Sequence, residues 1–493
     1  MTVRTRYAPS PTGVPHIGNI RTAVFDYLLA RHAGGQFLVR IEDTDRNRLD
    51  PQSVDGILES LRWLGLDWDE GPDIGGPYGP YVQSERVDLY AAAARRLIGQ
   101  GDAYECWCSS QRLDAVRAEQ ARNKLPPKYD RRCRDARGQA ESRHEAEAEG
   151  RGCVVRFRTP LDGAITLHDA VHGDTTFDLA TIDDFVMLKS DGFPTYHLAY
   201  IVDDEAMRIT HVLRGDEWIS SAPRHLLIYA ALGYDVPVIA HLPLVLGPDG
   251  AKLAKRHGAT SAFEYRDQGY LPDAVFNLLG LLGWSLDDHT EIISREQFIE
   301  HFDIARVVRN PAVFNVEKLT WMNGVYIREM PEERLAAIVA DWLERGLPAS
   351  VPRPLDRDLV RRIVPLIRER IKLMSEAVDY CDFFFLDDVH YARDELLGKA
   401  FRYRADAART ALERSIDALT PVASWAHADL EAAMRALAED LAVKAGDLFS
   451  LVRVAVTGRR ITPPLFESME ILGRDRSLAR LRAAAARPDL ASI

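Results

Sequence analysis

The N-terminal segment Val3-Arg4-Thr5-Arg6-Tyr7-Ala8-Pro9-Ser10-Pro11-Thr12-Gly13-Val14-Pro15-His16-Ile17-Gly18-Asn19 carries a switch from strand to helix. Val3 to Tyr7 predicts a short strand, and Pro9 to Gly13 is rich in turn formers. From His16 onward, Ile17, Ile20, Val24 and Tyr27/Leu28 recur at helical spacing on one face. Gly34-Gly35 stops that helix, and Phe37-Leu38-Val39-Arg40-Ile41 predicts the next strand. Asp50 then caps a second helix with Pro51 in its first position. Strand, helix, strand and helix in this order imply an α/β fold with a Rossmann-like parallel sheet.

Outward from this segment the pattern changes twice. Between about Tyr90 and Thr195 the periodicity weakens around a charged run (Arg134 to Arg151) and strand-like runs at Val154–Phe157 and Phe185–Leu188. This reads as an insertion into the sheet domain, because α/β character returns from Thr195 to Leu232. Beyond Arg328 the pattern is almost purely helical. Pro331 opens a helix closed by Gly346, and amphipathic stretches fill Asp356–Tyr380, Ala405–Leu419 and Leu430–Ala445. The change near Arg328 is the firmest expected boundary.

The bulk properties exclude several classes. A chain of 493 residues is expected to form about three domains. Its 46% hydrophobic and 28% charged content is that of a soluble globular protein. No stretch approaches the roughly 18 apolar residues of a membrane span, and Val275–Trp284 reads as a buried helix. The start lacks the basic-then-apolar run of a signal peptide, so a cytoplasmic enzyme is expected. The net charge of −12 argues at face value against nucleic acid, but local density outweighs the sum. Arginine is dense at Arg131–Arg134, from Arg353 to Lys372, and at Arg459 and Arg460. Of five cysteines, Cys106, Cys108 and Cys133 cluster, which suggests metal binding more than disulfides.

The phosphate chemistry is unusual. There is no GxxxxGK[ST] loop and no GxGxxG after the first strand, which disfavours P-loop and dinucleotide enzymes. Instead, Pro15-His16-Ile17-Gly18-Asn19 stands where strand hands over to helix. Amides at a helix start attract phosphate, His16 can donate a hydrogen bond to it, and Gly18 leaves room for a base against the backbone. Downstream, Gly247-Pro248-Asp249-Gly250 precedes Ala251-Lys252-Leu253-Ala254-Lys255-Arg256. Two lysines three apart and an arginine on a glycine-rich loop match the charge that grows as pyrophosphate departs.

This pair resembles the HIGH and KMSKS motifs of class I aminoacyl-tRNA synthetases. Arg6 to Gly13, Arg40-Ile41-Glu42-Asp43-Thr44-Asp45, Lys189-Ser190-Asp191-Gly192, Pro194 to Ala199 and Trp321-Met322-Asn323-Gly324 resemble the bacterial glutamyl-tRNA synthetase family along nearly the whole chain. Two departures stand out: Asn19 replaces the last histidine of the first motif, and the second motif keeps both lysines but neither serine.

The resemblance implies ATP with Mg²⁺, L-glutamate and tRNA-Glu as substrates, and a monomer with no membrane partner. Residues 1–90 and 195–240 would form the catalytic domain, 91–194 an inserted acceptor-end domain, 241–328 the KMSKS-like loop and stem-contact region, and 329–493 a helical anticodon-binding domain. Catalysis falls to His16, Lys252 and Lys255; ATP contacts fall to these with Pro9, Ser10, Thr12, Gly13, Gly18, Asn19 and Arg256. Glutamate needs a cation for its side-chain carboxylate and an acceptor for its ammonium. Matching positions imply Arg6 and Arg214 for carboxylates and Glu42 for the ammonium, with Ala8, Ser10, Tyr196 and Trp218 as walls; Tyr200 stands where a relative has asparagine. Arg370 aligns with an arginine that relatives restricted to tRNA-Glu use to reject tRNA-Gln.

Zinc prefers four ligands, and Cys106, Cys108 and Cys133 supply three. Relatives use a later histidine where this chain has Asp135, so Asp135 or Tyr129 could complete a zinc site, or the thiols could be vestigial. Other classes fit less well. A base-modifying relative lacks the helical half, a glutaminyl enzyme resembles a β-barrel there, and a small-molecule nucleotidyltransferase would not need it. A non-catalytic tRNA-binding paralogue would not need His16, Lys252 and Lys255.

Overall fold

A computed structural model describes residues 2–46, 50, 52–253 and 261–490; Pro51, Lys255 and Arg256 lie outside these residues. By internal packing the chain forms two compact units, Met1–Tyr265 with Val275–Val316, and Arg266–Ala274 with Glu317–Ile493.

The elements run β1 (Arg4–Tyr7), α1 (Ile17–His32), β2 (Gln36–Val39), α2 (Gln52–Trp63), α3 (Val87–Gln100), β3 (Ala103–Cys106), α4 (Ser110–Arg122), α5 (Ala136–Ala148), β4 (Val154–Phe157), β5 (Ala164–Asp169) and β6 (Gly173–Asp178). There follow β7 (Val186–Leu188), α6 (Tyr196–Ala206), β8 (His211–Gly215), α7 (Ala222–Leu232), β9 (Val238–Leu242), β10 (Val245–Leu246), α8 (Ala262–Asp267), α9 (Pro272–Leu281), α10 (Arg295–His301), β11 (Ala312–Val313) and α11 (Val316–Glu329). No helix among the described residues is long and apolar enough to cross a membrane.

β1 pairs in parallel with β2, and β8 with β9. The Thr210 amide, just before β8, donates to the Arg4 carbonyl at 3.0 Å, so β1 and β8 lie side by side. This is the parallel arrangement expected of the nucleotide-binding class, and it aligns the ends of β1 and β8 at one site. Two details depart from the sequence pattern. α1 is buried nearly all round rather than on one face, because Phe25 packs edge-on against Phe302 at 5.4 Å while Tyr27 meets Phe37 of β2 at 5.9 Å. The antiparallel hairpin β5–β6 does not stay within a separate insertion: Asp169 pairs with Ile239, placing β5 beside β9. Residues 103–188 also carry a separate small sheet, β3-β4-β7.

The second unit is helical: α12 (Glu332–Gly346), α13 (Arg357–Ile367), α14 (Glu376–Cys381), α15 (Arg393–Phe401), α16 (Ala405–Leu419), α17 (His427–Asp440), α18 (Ala445–Thr457), α19 (Leu465–Leu472) and α20 (Arg474–Ala485). Arg328 lies in the last turn of α11, whose residues from Glu317 on belong to this unit. Leu412, Leu430, Met434, Leu451, Val452 and Leu481 are among the side chains that close its main core. The stretch Asp356–Tyr380 is not one helix. It breaks after Ile367 and resumes at Glu376, and Pro365 sits in the last turn before the break. Leu430–Ala445 likewise divides, with Ala442 at φ +53° between α17 and α18.

Candidate active site

A cavity of about 860 Å³ opens where β1 ends, α1 begins and β8 terminates. Its wall includes Ala8, Pro9, Ser10, Thr12, His16, Gly18, Asn19 and Lys252. His16 is the N-cap of α1, and its Nδ1 accepts the Gly18 amide at 3.1 Å. With Nδ1 accepting, the neutral ring carries its proton on Nε2. That atom is buried and, among the described residues, lacks a hydrogen-bond partner. Burial and the nearby Lys252 charge push the His16 pKa down, so the ring is a neutral donor. A side chain at Gly18 would meet nothing nearer than His16 Nδ1 at 3.4 Å. That is an ordinary contact distance, so the space beside Gly18 is open. Gly13 is not in the wall; its φ of +137° turns the chain behind it. Lys252 Nζ reaches Glu217 at 3.5 Å.

The deeper end is built on buried charge. Arg6, on β1, gives its Nε–H to Asp204 at 3.0 Å. Arg40, wholly buried just after β2, bridges Asp204 at 2.7 Å and Glu42 at 3.0 Å. Ions removed from water need such partners. Burial raises the Glu42 pKa even though Arg40 opposes it. Asp26 of α1 also faces the cavity, and burial holds its carboxyl well above the usual range.

Arg214 stands across the cavity on β8. Its Nε–H donates to His241 at 3.0 Å, and Nη1 donates to His225 at 3.3 Å and Tyr196 Oη at 3.4 Å. Nη2 is buried with no partner among the described residues. Trp218 lies 4.3 Å from the Tyr196 ring, completing an aromatic wall. Tyr200 does not reach the cavity. It is fully buried behind Tyr196, stacked at 5.3 Å, because it follows Tyr196 by one helical turn on α6.

The cysteines form a second cluster. The sulfurs of Cys106, Cys108 and Cys133 lie within 4.8 Å of one another. Tyr129 Oη is 3.3 Å from Cys106 Sγ and 3.5 Å from Cys108 Sγ. Asp135 is not brought to the cluster: its carboxylate caps α5 by accepting the Gly138 amide at 2.8 Å. Three thiols and one phenol at a common centre fit a four-coordinate thiophilic ion.

The arginine runs are mostly structural. Arg131 and Arg134 both pair with Asp184, and Arg132 pairs with Glu145. Arg459 pairs with Asp382, while Arg460 bonds the Asp394 and Glu395 carbonyls. Arg370 differs. It is exposed, and its guanidinium has no hydrogen bond among the described residues. It sits close enough to Arg453 to help lower that group's pKa, after burial.

The tRNA synthetases class I (E and Q) catalytic domain model matches residues 2–321, and an anticodon binding domain model matches residues 334–485. A glutamate–tRNA ligase from Dehalococcoides mccartyi is 52% identical, with 98% of each chain covered. The chain belongs to the glutamate–tRNA ligase family. A glutamate–tRNA ligase from Moorella thermoacetica is 44% identical, again over 98% of each chain. The crystal structure of a glutamate tRNA ligase from Elizabethkingia meningosepticum in complex with its amino acid superposes with a TM-score of 0.87 at 34% identity, covering 98% of this chain and 99% of that one. A class I synthetase of this family uses ATP with Mg²⁺, glutamate and tRNA. Within this family assignment, the sequence reading passed over Asp204, His225 and His241. Asp203-Asp204 on an apolar helix was a legible signal of buried ion pairing; single histidines scattered over separate elements gave none.

Proposed function

We propose that the chain activates L-glutamate with Mg²⁺-ATP to glutamyl-adenylate and transfers it to the 3′ end of tRNA-Glu, acting as a cytoplasmic monomer. The observation that carries the residue assignment is Nη2 of Arg214, a buried donor without a partner among the described residues, on a side chain in the wall of a cavity that also holds Arg6 and Glu42. A buried unsatisfied donor is costly unless a ligand completes it. A substrate carboxylate does so, and glutamine's neutral amide does so less well.

In the first step the glutamate α-carboxylate attacks the α-phosphorus in line; the new O–P bond forms as the bond to pyrophosphate breaks. Glu42 holds the ammonium, and Arg6 with Arg214 takes the carboxylates. His16 Nε2–H donates to a phosphate oxygen, while Lys252 and Lys255 match the departing charge. In the second step the terminal ribose hydroxyl attacks the activated carbonyl and AMP leaves. No protein nucleophile is required, because positioning and charge stabilisation lower the barrier. Residues 91–194 would hold the acceptor end, 241–328 the KMSKS-like loop and stem contacts, and 329–493 the anticodon. A zinc ion would tie the Cys106, Cys108, Cys133 and Tyr129 side chains together as a structural clip.

The test is glutamate-dependent pyrophosphate exchange with and without tRNA-Glu, followed by charging of tRNA-Glu and tRNA-Gln. Lys252→Ala and Arg214→Met are expected to separate the two ends of the cavity. The first lowers the exchange rate with little change in the KM for glutamate, and the second raises that KM. The opposite pattern would overturn the assignment.

A further inference from the structure

At and behind the cavity wall, five polar side chains from five elements form one continuous hydrogen-bonded chain, buried except for the half-buried His197. Asp169 ends β5, His241 is on β9, Arg214 on β8, His225 on α7 and His197 on α6. His241 Nδ1 lies 2.5 Å from Asp169 Oδ2. Arg214 occupies the middle, 3.0 Å from His241 Nε2 and 3.3 Å from His225 Nδ1. His225 Nε2 is 2.9 Å from His197 Nδ1. His225 and His241 have no solvent exposure.

The direction of every bond in this chain follows from one fact. A guanidinium donates and never accepts, so both histidines must present lone pairs to Arg214. His241 therefore carries its proton on Nδ1 and donates it to Asp169. His225 carries its proton on Nε2 and donates it to His197. All three rings are neutral in this arrangement. Burial, the leading cause in each case, depresses all three pKa values, and His197 is brought down to about 4.

Two consequences follow for Arg214. Its Nε and Nη1 are each held by a histidine lone pair, so in the planar guanidinium Nη2 has a fixed direction. Its immediate partners are also uncharged, unlike those of Arg6, which shares its charge with Asp204. Neutral acceptors orient the guanidinium without cancelling its charge.

We infer that His225 and His241 are positioning residues, holding Arg214 through their ring lone pairs so that Nη2 faces the substrate carboxylate, with Asp169 and His197 fixing their tautomers. This rests on the reading of Arg214 as a carboxylate-binding cation.

The test uses the full chain in steady-state tRNA charging. His241→Phe and His225→Phe keep ring volume but remove the lone pair. Each is expected to raise the KM for glutamate by on the order of tenfold, as when a group that orients a ligand contact is lost, with the KM for ATP unchanged. Glutamine places its carbonyl near the Nε2 position, and asparagine near the Nδ1 position. His241→Gln and His225→Asn should therefore recover most of the loss. Equal KM values for the phenylalanine and the amide variants would overturn the inference, since a purely structural role predicts no such rescue. If the phenylalanine variants fail to fold, His241→Leu and His225→Leu serve for the same comparison. Arg214→Met separates the two layers. An unchanged glutamate KM there removes the reading of Arg214, whereas a raised KM there without rescue at the histidines removes only the relay.

Discussion

His16 Nδ1 accepts the Gly18 amide at 3.1 Å, which leaves the proton of the neutral ring on its buried Nε2. One side chain thus caps α1 and keeps a second nitrogen as a proton donor. His16→Asn separates the tasks, because asparagine is an equally good cap but lacks a second nitrogen at the Nε2 position. The variant is expected to keep its helical circular dichroism and melting midpoint while pyrophosphate exchange falls about 10²–10³-fold. A near-normal rate would remove His16 from phosphate handling.

Glu42 yields a pH prediction. Burial raises its pKa, so on acidification it takes up a proton at a higher pH than an ordinary carboxylate. The substrate ammonium stays charged throughout that range, since α-amino groups titrate near about 8. Affinity should therefore fall as pH is lowered, with the KM for glutamate rising before the ordinary carboxylate range is reached. In Glu42→Gln the KM should already be high at neutral pH and its low-pH rise should flatten. Identical pH profiles for the two proteins would exclude Glu42 as the ammonium partner.

The thiol cluster predicts about one equivalent of zinc in purified protein, by the four-ligand preference of that ion. Cys133→Ser should lose the metal and lower the melting midpoint, whereas Asp135→Asn, at a helix cap, should retain it. Elemental analysis decides the matter: less than about a tenth of an equivalent in the parent protein leaves only a hydrogen-bonded set of reduced thiols.

Arg370 is exposed beside Arg453, which binds the Thr462 hydroxyl at 2.8 Å and the Pro463 carbonyl at 2.9 Å. Two neighbouring cations, one of them held in place, favour an anionic or base-edge partner. Arg370→Ala should narrow the preference for tRNA-Glu over tRNA-Gln by on the order of tenfold, the worth of one paired-donor base contact. Charging kinetics with both tRNAs provide the measurement, and unchanged selectivity would return Arg370 to an ordinary surface charge.

Much of this protein is local and therefore legible in the order of its residues. Apolar spacing after His16 specifies α1, Gly34-Gly35 ends it, and Pro331 with Gly346 bounds α12, because caps and periodicity act over one or two turns. The pairing of the His16 element with the Lys252 loop is likewise written in sequence, since each is a short chemical motif. Tertiary structure alone decided how charge and protons are arranged. Arg6 meets Asp204 across 198 residues, and His241 meets Asp169 across 72. The first joins strand β1 to helix α6 and the second joins the parallel strands β5 and β9, so neither is visible in local sequence. The place of Tyr200 one turn behind Tyr196 and the cap that Asp135 makes on α5 are local, whereas which face of α6 meets the cavity depends on what that helix packs against.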